Sequence, residues 1–141
     1  MLAAQWLASR GRWEPEAALL LVRARAGEPL EPVRPAVLLL ASVRCAKCRR
    51  ALADFAGPEL GELPVARYVL LDGPLPSGLP GLAGVPFVVD RAGGIRGRLG
   101  IGSVPAYFLF DARGVHVSTF RRSWRASAVS RWIRENLGSL T

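Results

Sequence analysis

Apolar positions fall into two kinds of run along this chain, and they predict most of its elements. Ala36–Ala41, AVLLLA, is an unbroken apolar stretch of strand length between Pro35 and Ser42, the pattern of a central strand buried on both faces. From Cys48 onward the period becomes helical. Cys48, Leu52, Phe55 and Ala56 share one face while Arg49, Arg50 and Asp54 face water, until Gly57 and Pro58 stop the helix. Residues 65–71 (VARYVLL) read as a second strand ending at Asp72 and Gly73, and residues 85–90 as a short third. Residues 106–111 and 115–120 flank Ala112, Arg113 and Gly114, a hairpin signal with glycine where the turn needs it. Val129, Trp132, Ile133 and Leu137 then lie on one face of a last helix closing at Gly138.

The weaker patterns lie between these elements. Leu2, Ala3, Trp6 and Leu7 recur at helical spacing before residues 10–12 interrupt. A helix is expected over residues 14–26, with Pro15 in its first turn and Gly27 just past its end, although AALLLV would also suit a strand. Residues 28–35 hold three prolines and read as a connector. Segment 73–84, GPLPSGLPGLAG, is too rich in Gly and Pro for a helix, and residues 91–102 allow one or two helical turns. The expected organisation is a helical N-terminal extension and connector over 1–34, followed by an α/β domain over 35–141.

Composition narrows the function classes. With 141 residues, half of them hydrophobic and 21% charged, the chain suits one globular domain with a core of its own. The net charge of +8 is carried almost wholly by arginine, Lys47 being the only lysine. The arginines are scattered from Arg10 to Arg134 rather than gathered, so the expectation is a solvated basic surface and no nucleic-acid partner. No apolar stretch approaches the roughly 18–20 residues that span a bilayer, and no export signal is recognisable, which points to the cytoplasm.

Both cysteines sit in one C-x-x-C, Cys45 and Cys48, where the strand gives way to the helix. A bridge that staples a fold joins distant segments, so this pair reads as chemical. At a helix N-terminus, free N–H groups and the dipole favour a thiolate on Cys45, the attacking species in disulfide exchange. Cys48, three residues on, is placed to attack the mixed disulfide and release the partner. Arg44, Lys47, Arg49 and Arg50 crowd positive charge around Cys45 and should lower its pKa further. A zinc site would need two more ligands, and the only histidine, His116, lies on a strand with no acid or thiol at ligand spacing. His116 is expected on the face opposite Val115 and Val117. Trp132 is expected in the core, and Trp124 either under the final helix or exposed as a contact residue.

The strand-CAKC-helix unit, followed by GIGSVPAYFLFDARGVHV, resembles the thioredoxin superfamily and in particular its redoxin branch of TlpA-like and ResA-like thiol-disulfide oxidoreductases. The later motif is matched at Gly100, Ile101, Val104, Pro105, Phe108, Leu109, Asp111 and Gly114, and the resemblance covers about residues 35–138. It implies a thioredoxin-like fold with a central mixed sheet flanked by helices. It also implies a cis Pro105 beside Cys45, Val104 offering backbone groups to an extended substrate, and a protein disulfide or thiol partner with no cofactor and no metal. A monomer is expected. Arg44 stands where tryptophan is usual, and no proline lies within the motif. Leu39 and Ala51 replace the two carboxylates that serve the resolving cysteine in this superfamily. Two other readings share the fold. One is a thioredoxin-like interaction or chaperone module without turnover. The other is a peroxiredoxin-like peroxidase, for which Ser42 fits the hydroxyl position of the signature but Leu38 stands where its proline should be. TlpA-like relatives work outside the cytoplasm, so resemblance and missing signal point to different compartments.

Overall fold

The computed structural model describes residues 14–29, 34–75, 82, 84–90, 94–100 and 103–141. In chain order its elements are α1 (Pro15–Arg25), β1 (Ala36–Ala41), α2 (Ala46–Phe55), α3 (Pro58–Gly61), β2 (Ala66–Leu71) and β3 (Phe87–Val89). They continue with α4 (Gly94–Leu99), β4 (Ala106–Phe110), β5 (His116–Phe120), α5 (Ala126–Glu135) and a closing 3-10 turn, Leu137–Ser139. The spacing read at residues 2–7 and most of the 73–84 crossing lie outside the described residues.

The strands form one mixed sheet in the order β3-β2-β1-β4-β5. β1 runs parallel to β2 and antiparallel to β4, with Leu39 opposite both Val69 and Tyr107. All six residues of β1 are buried, as its unbroken apolar run requires. Alternation sends Val37, Leu39 and Ala41 into the layer shared with α2 and α5, and Ala36, Leu38 and Leu40 into the layer shared with α1 and α4. The first layer is aromatic at its centre: the ring of Tyr107 lies 5.9 Å from Phe55 and 6.5 Å from Trp132, and Trp132 stacks on Phe120 at 5.2 Å.

Helix α1 begins with Pro15 in its first turn and is followed by Gly27 at φ +76°, the left-handed conformation that glycine adopts without a steric cost. It buries Ala18, Leu19 and Val22 against the sheet, and Glu16 accepts the backbone N–H of His116 at 2.9 Å. The His116 ring lies 5.8 Å from Phe108 and 5.9 Å from Phe110 on this same side, while Val117 packs on the other.

Two details differ from the sequence pattern. Gly57 and Pro58 stop α2 but also start α3, because proline is pre-set for a first helical turn, and the turn buries Leu60. The last helix ends at Glu135, short of Gly138. Asn136 turns its side-chain amide back to the Trp132 carbonyl at 2.8 Å, and the following turn carries Leu140 into the core, where its carbonyl accepts the Ala112 N–H at 2.7 Å.

Candidate functional site

The chain leaves the C-terminal end of β1 at Ser42 and turns into α2 at Cys45. Cys45 is the N-cap of that helix, with extended backbone (φ −106°, ψ 128°), and its Sγ accepts the N–H of Cys48 at 3.4 Å. A sulfur thus does what a serine or aspartate oxygen usually does at this position. Both cysteines are free thiols; Cys45 is half-buried and Cys48 is fully enclosed with Ala51, Leu52 and Phe55.

The two sulfurs have opposite electrostatics. The Cys48 N–H is the main influence lowering the Cys45 pKa, opposed by burial and reinforced by the Cys48 thiol and by the N–H and charge of Lys47. Burial pushes Cys48 up to about 12; the Ser42 backbone opposes this, and the Cys45 sulfur and the Asp72 carboxylate reinforce it. One thiol is therefore primed to ionise and the other held protonated. Of the expected tuning cations, Lys47 acts on Cys45 directly. Arg44 is exposed in the loop and its charge acts on Asp72, and Arg49 is exposed on the outer side of α2.

Asp72 is the residue that sequence reasoning missed. The parallel register pairs Ala41 with Leu71, so the residue that follows β2 stands beside the loop that follows β1. Its Oδ1 accepts the Val43 N–H at 2.9 Å, and its Oδ2 lies 4.0 Å from Nη1 of Arg96. The buried Ser42 hydroxyl donates to it and in turn accepts the Arg44 N–H at 3.2 Å. Burial alone would raise the Asp72 pKa, but the Ser42 hydroxyl, the Val43 N–H, Arg44 and Arg96 outweigh it and hold the carboxyl below the usual carboxylate range. Glycine next to it leaves room for the loop, since a Cβ on Gly73 would come within 3.1 Å of Val43 Cγ2 and the valine would have to give way. Arg96 is held in turn by Asp90, whose carboxylate accepts the N–H groups of Ile95 at 3.0 Å and Arg96 at 3.1 Å at the start of α4. The usable signal was an acid directly after the strand that neighbours the cysteine strand in parallel.

The Val104–Pro105 peptide bond is cis. Ala106 pairs with Leu40, which puts Pro105 at the same end of β1 as the cysteine loop, and Val104 packs against the apolar layers on both sides of the sheet. The Ser42 hydroxyl is engaged with Asp72 and Arg44. His116 is remote from these groups in the chain's layout, on β5, where its Nε2 lies 2.9 Å from the Thr119 hydroxyl. Among the described residues no group of three or more His, Cys, Asp or Glu could hold a metal ion.

No protein-family model matches the chain, and no curated protein does. Solved structures are similar to it. StoA from Bacillus subtilis shares 16% identity over 73% of this chain and 84% of that one, with a TM-score of 0.56. The pneumococcal exposed lipoprotein thioredoxin Etrx1 from Streptococcus pneumoniae shares 20% identity over 72% and 84%, with a TM-score of 0.56. A secreted disulfide oxidoreductase of Mycobacterium tuberculosis shares 15% over 72% and 81%, with a TM-score of 0.55. Similarity at this level of identity is similarity of fold, and together with the strand order it establishes that this protein has the thioredoxin-like fold.

Proposed function

We propose that the protein is a thiol-disulfide oxidoreductase that exchanges a Cys45/Cys48 dithiol or disulfide with a protein partner. The observation that carries this reading is the N-cap position of Cys45, which gives one sulfur a stabilised thiolate beside a buried, protonated second sulfur. The Cys45 thiolate attacks one sulfur of the partner disulfide. The other partner sulfur leaves as a thiolate and takes a proton from solvent. Cys48 then gives up its proton and attacks Cys45 Sγ, closing the Cys45–Cys48 disulfide and releasing the partner as a dithiol. Two electrons pass to the partner, and a second redox protein restores the dithiol; the oxidised pair runs the same steps in reverse.

Cys45 is the nucleophile and Cys48 the resolving residue. Val104 and Pro105, at the same end of β1, offer the surface on which an extended partner segment rests. Arg44, Lys47 and Arg49 set the local potential. Asp72 is a positioning residue: it ties the Ser42–Val43 turn to β2, and its charge adds to the burial that holds Cys48 protonated. The test is reduction of insulin by the protein coupled to a small thiol, comparing wild type with Cys45→Ser, together with trapping of a mixed disulfide by Cys48→Ser. Equal insulin reduction by wild type and Cys45→Ser would exclude the reading.

A further inference from the structure

The cations around Cys45 and the acids of this fold are deployed differently. Arg44, Lys47, Arg49 and Arg50 are all exposed, within five residues of the nucleophile, and among the described residues none of them is in an ion pair. The nearby carboxylates are turned inward to backbone donors. Asp54, on the same helix as Arg50, accepts the Ala126 N–H at 2.9 Å, and Asp72 accepts that of Val43. Asp90, at the same end of the sheet, accepts N–H groups at the start of α4. Asp54, Asp72 and Asp90 hold loops through backbone N–H groups, and of the rim cations only Arg44 acts on one of them, Asp72.

The rim also extends beyond α2. Trp124 packs half-buried against the core with the guanidinium of Arg50 5.6 Å from its ring centroid and that of Arg125 at 5.0 Å. A stacked guanidinium keeps its donors and its charge while losing rotamer freedom in advance, so less entropy is lost when a carboxylate binds it. The indole joins the cationic surface of the cysteine helix to the exposed arginine at the start of α5.

We infer that the partner disulfide is presented in an acidic segment, and that Arg50 and Arg125 over the Trp124 ring, together with Arg44 and Lys47 in the cysteine loop and first turn of α2, form the docking surface for aspartates and glutamates flanking the partner cysteine. This rests on the exchange reading above. The occupant is a protein rather than a nucleic acid because the cations surround a sulfur nucleophile, and a polyanion without a disulfide has nothing to exchange there. Long-range attraction is screened within about 8 Å at physiological salt, so what persists is contact between the stacked guanidiniums and carboxylates, while encounter is faster at low salt.

Three synthetic peptides test this, each closed by one disulfide and identical except that the residues flanking the cystine are Glu, Gln or Lys. Reduced wild-type protein is mixed with each, and its oxidation to the Cys45–Cys48 disulfide is followed by acid quench. Each rate is divided by that of dithiothreitol on the same peptide, to remove intrinsic differences in disulfide reactivity. The expected order is Glu above Gln above Lys, with Glu and Lys about tenfold or more apart at low salt and converging in high salt. Arg50→Glu/Arg125→Glu should invert the order, and Arg44→Glu alone should compress it. Exchange at equal corrected rates with all three peptides overturns the docking surface and leaves the exchange reading standing. No exchange with any peptide overturns the exchange reading itself. If a single-stranded oligonucleotide slows Gln-peptide exchange at concentrations where a Glu-rich linear peptide does not, the acidic-protein assignment is wrong.

Discussion

Replacing Asp72 by asparagine keeps the side-chain shape and removes the charge. In the native site the carboxylate accepts two hydrogen bonds, from the Ser42 hydroxyl and the Val43 N–H, and faces Arg96 and Arg44. A hydrogen bond to a charged acceptor contributes about 1.5–3 kcal/mol and a neutral one about 0.5–1.5 kcal/mol, so two weakened bonds cost about 1–3 kcal/mol. The arginine contacts are partly solvated and add about 0–1 kcal/mol. The pH dependence has a definite sign. A carboxylate whose folded pKa lies below its ordinary value of 3.8 gives stability that is present above that value and lost as pH falls through the folded pKa. Urea unfolding should therefore find Asp72→Asn about 1–3 kcal/mol less stable than wild type at pH 7, with the two converging in strong acid. In a Cys45→Ser background the Cys48 thiol, raised to about 12 mainly by burial and in smaller part by Asp72, should titrate lower once the charge is gone. Equal stability at pH 7 together with an unmoved Cys48 titration would show that Asp72 does not act on the cysteine loop.

Further outcomes follow from the same geometry. Cys45 should be alkylated by iodoacetamide with a midpoint below its ordinary 9.0, and a midpoint at or above that value contradicts the N-cap account. Cys48 is an acid with a raised folded pKa, so its contribution to the stability of the reduced protein is full below pH 9 and lost as pH rises toward 12. Cys48→Ala should lack that part of the alkaline decline when unfolding is followed across the range. Leu19→Ala on α1 removes a buried side chain from the sheet's second face and should cost about 2–4 kcal/mol in urea unfolding; a loss under about 0.5 kcal/mol would mean that the helix only rests on the domain.

What could be read from the sequence was whatever a local period or a fixed spacing encodes. AVLLLA is apolar on both faces because β1 has a layer on each, and the step from that unbroken run to the helical period at the C-x-x-C marks the N-cap that Cys45 occupies. The Val-Pro before AYFLF marked the start of the strand that flanks β1. Asp72 was not legible because its meaning is set by register: an acid after VARYVLL looks like any strand end until β2 is known to lie parallel to β1 and to finish level with it. The role of α1 was hidden for a related reason. Its run AALLLV fits helix or strand, and only the sheet shows which apolar face it covers. Trp124, whose spacing allows either core packing or exposure, lies half-buried against the core beneath two guanidiniums.

The hydrogen bond from His116 to Glu16 joins residues 100 positions apart, and β1 borrows one of its two neighbours, β4, from the last third of the chain. This bears on the order of events during synthesis. A growing chain that has passed residue 55 already carries both cysteines and the whole of α2, yet it lacks β2 with Asp72, the Val104–Pro105 segment and the strand that closes β1 on its other side. Until the β4–β5 hairpin has emerged, the helix has no finished sheet to bury Cys48 and hold its thiol protonated. An incomplete chain therefore carries the half of the contrast that α2 supplies to Cys45, and the half that burial supplies to Cys48 arrives only with the completed sheet.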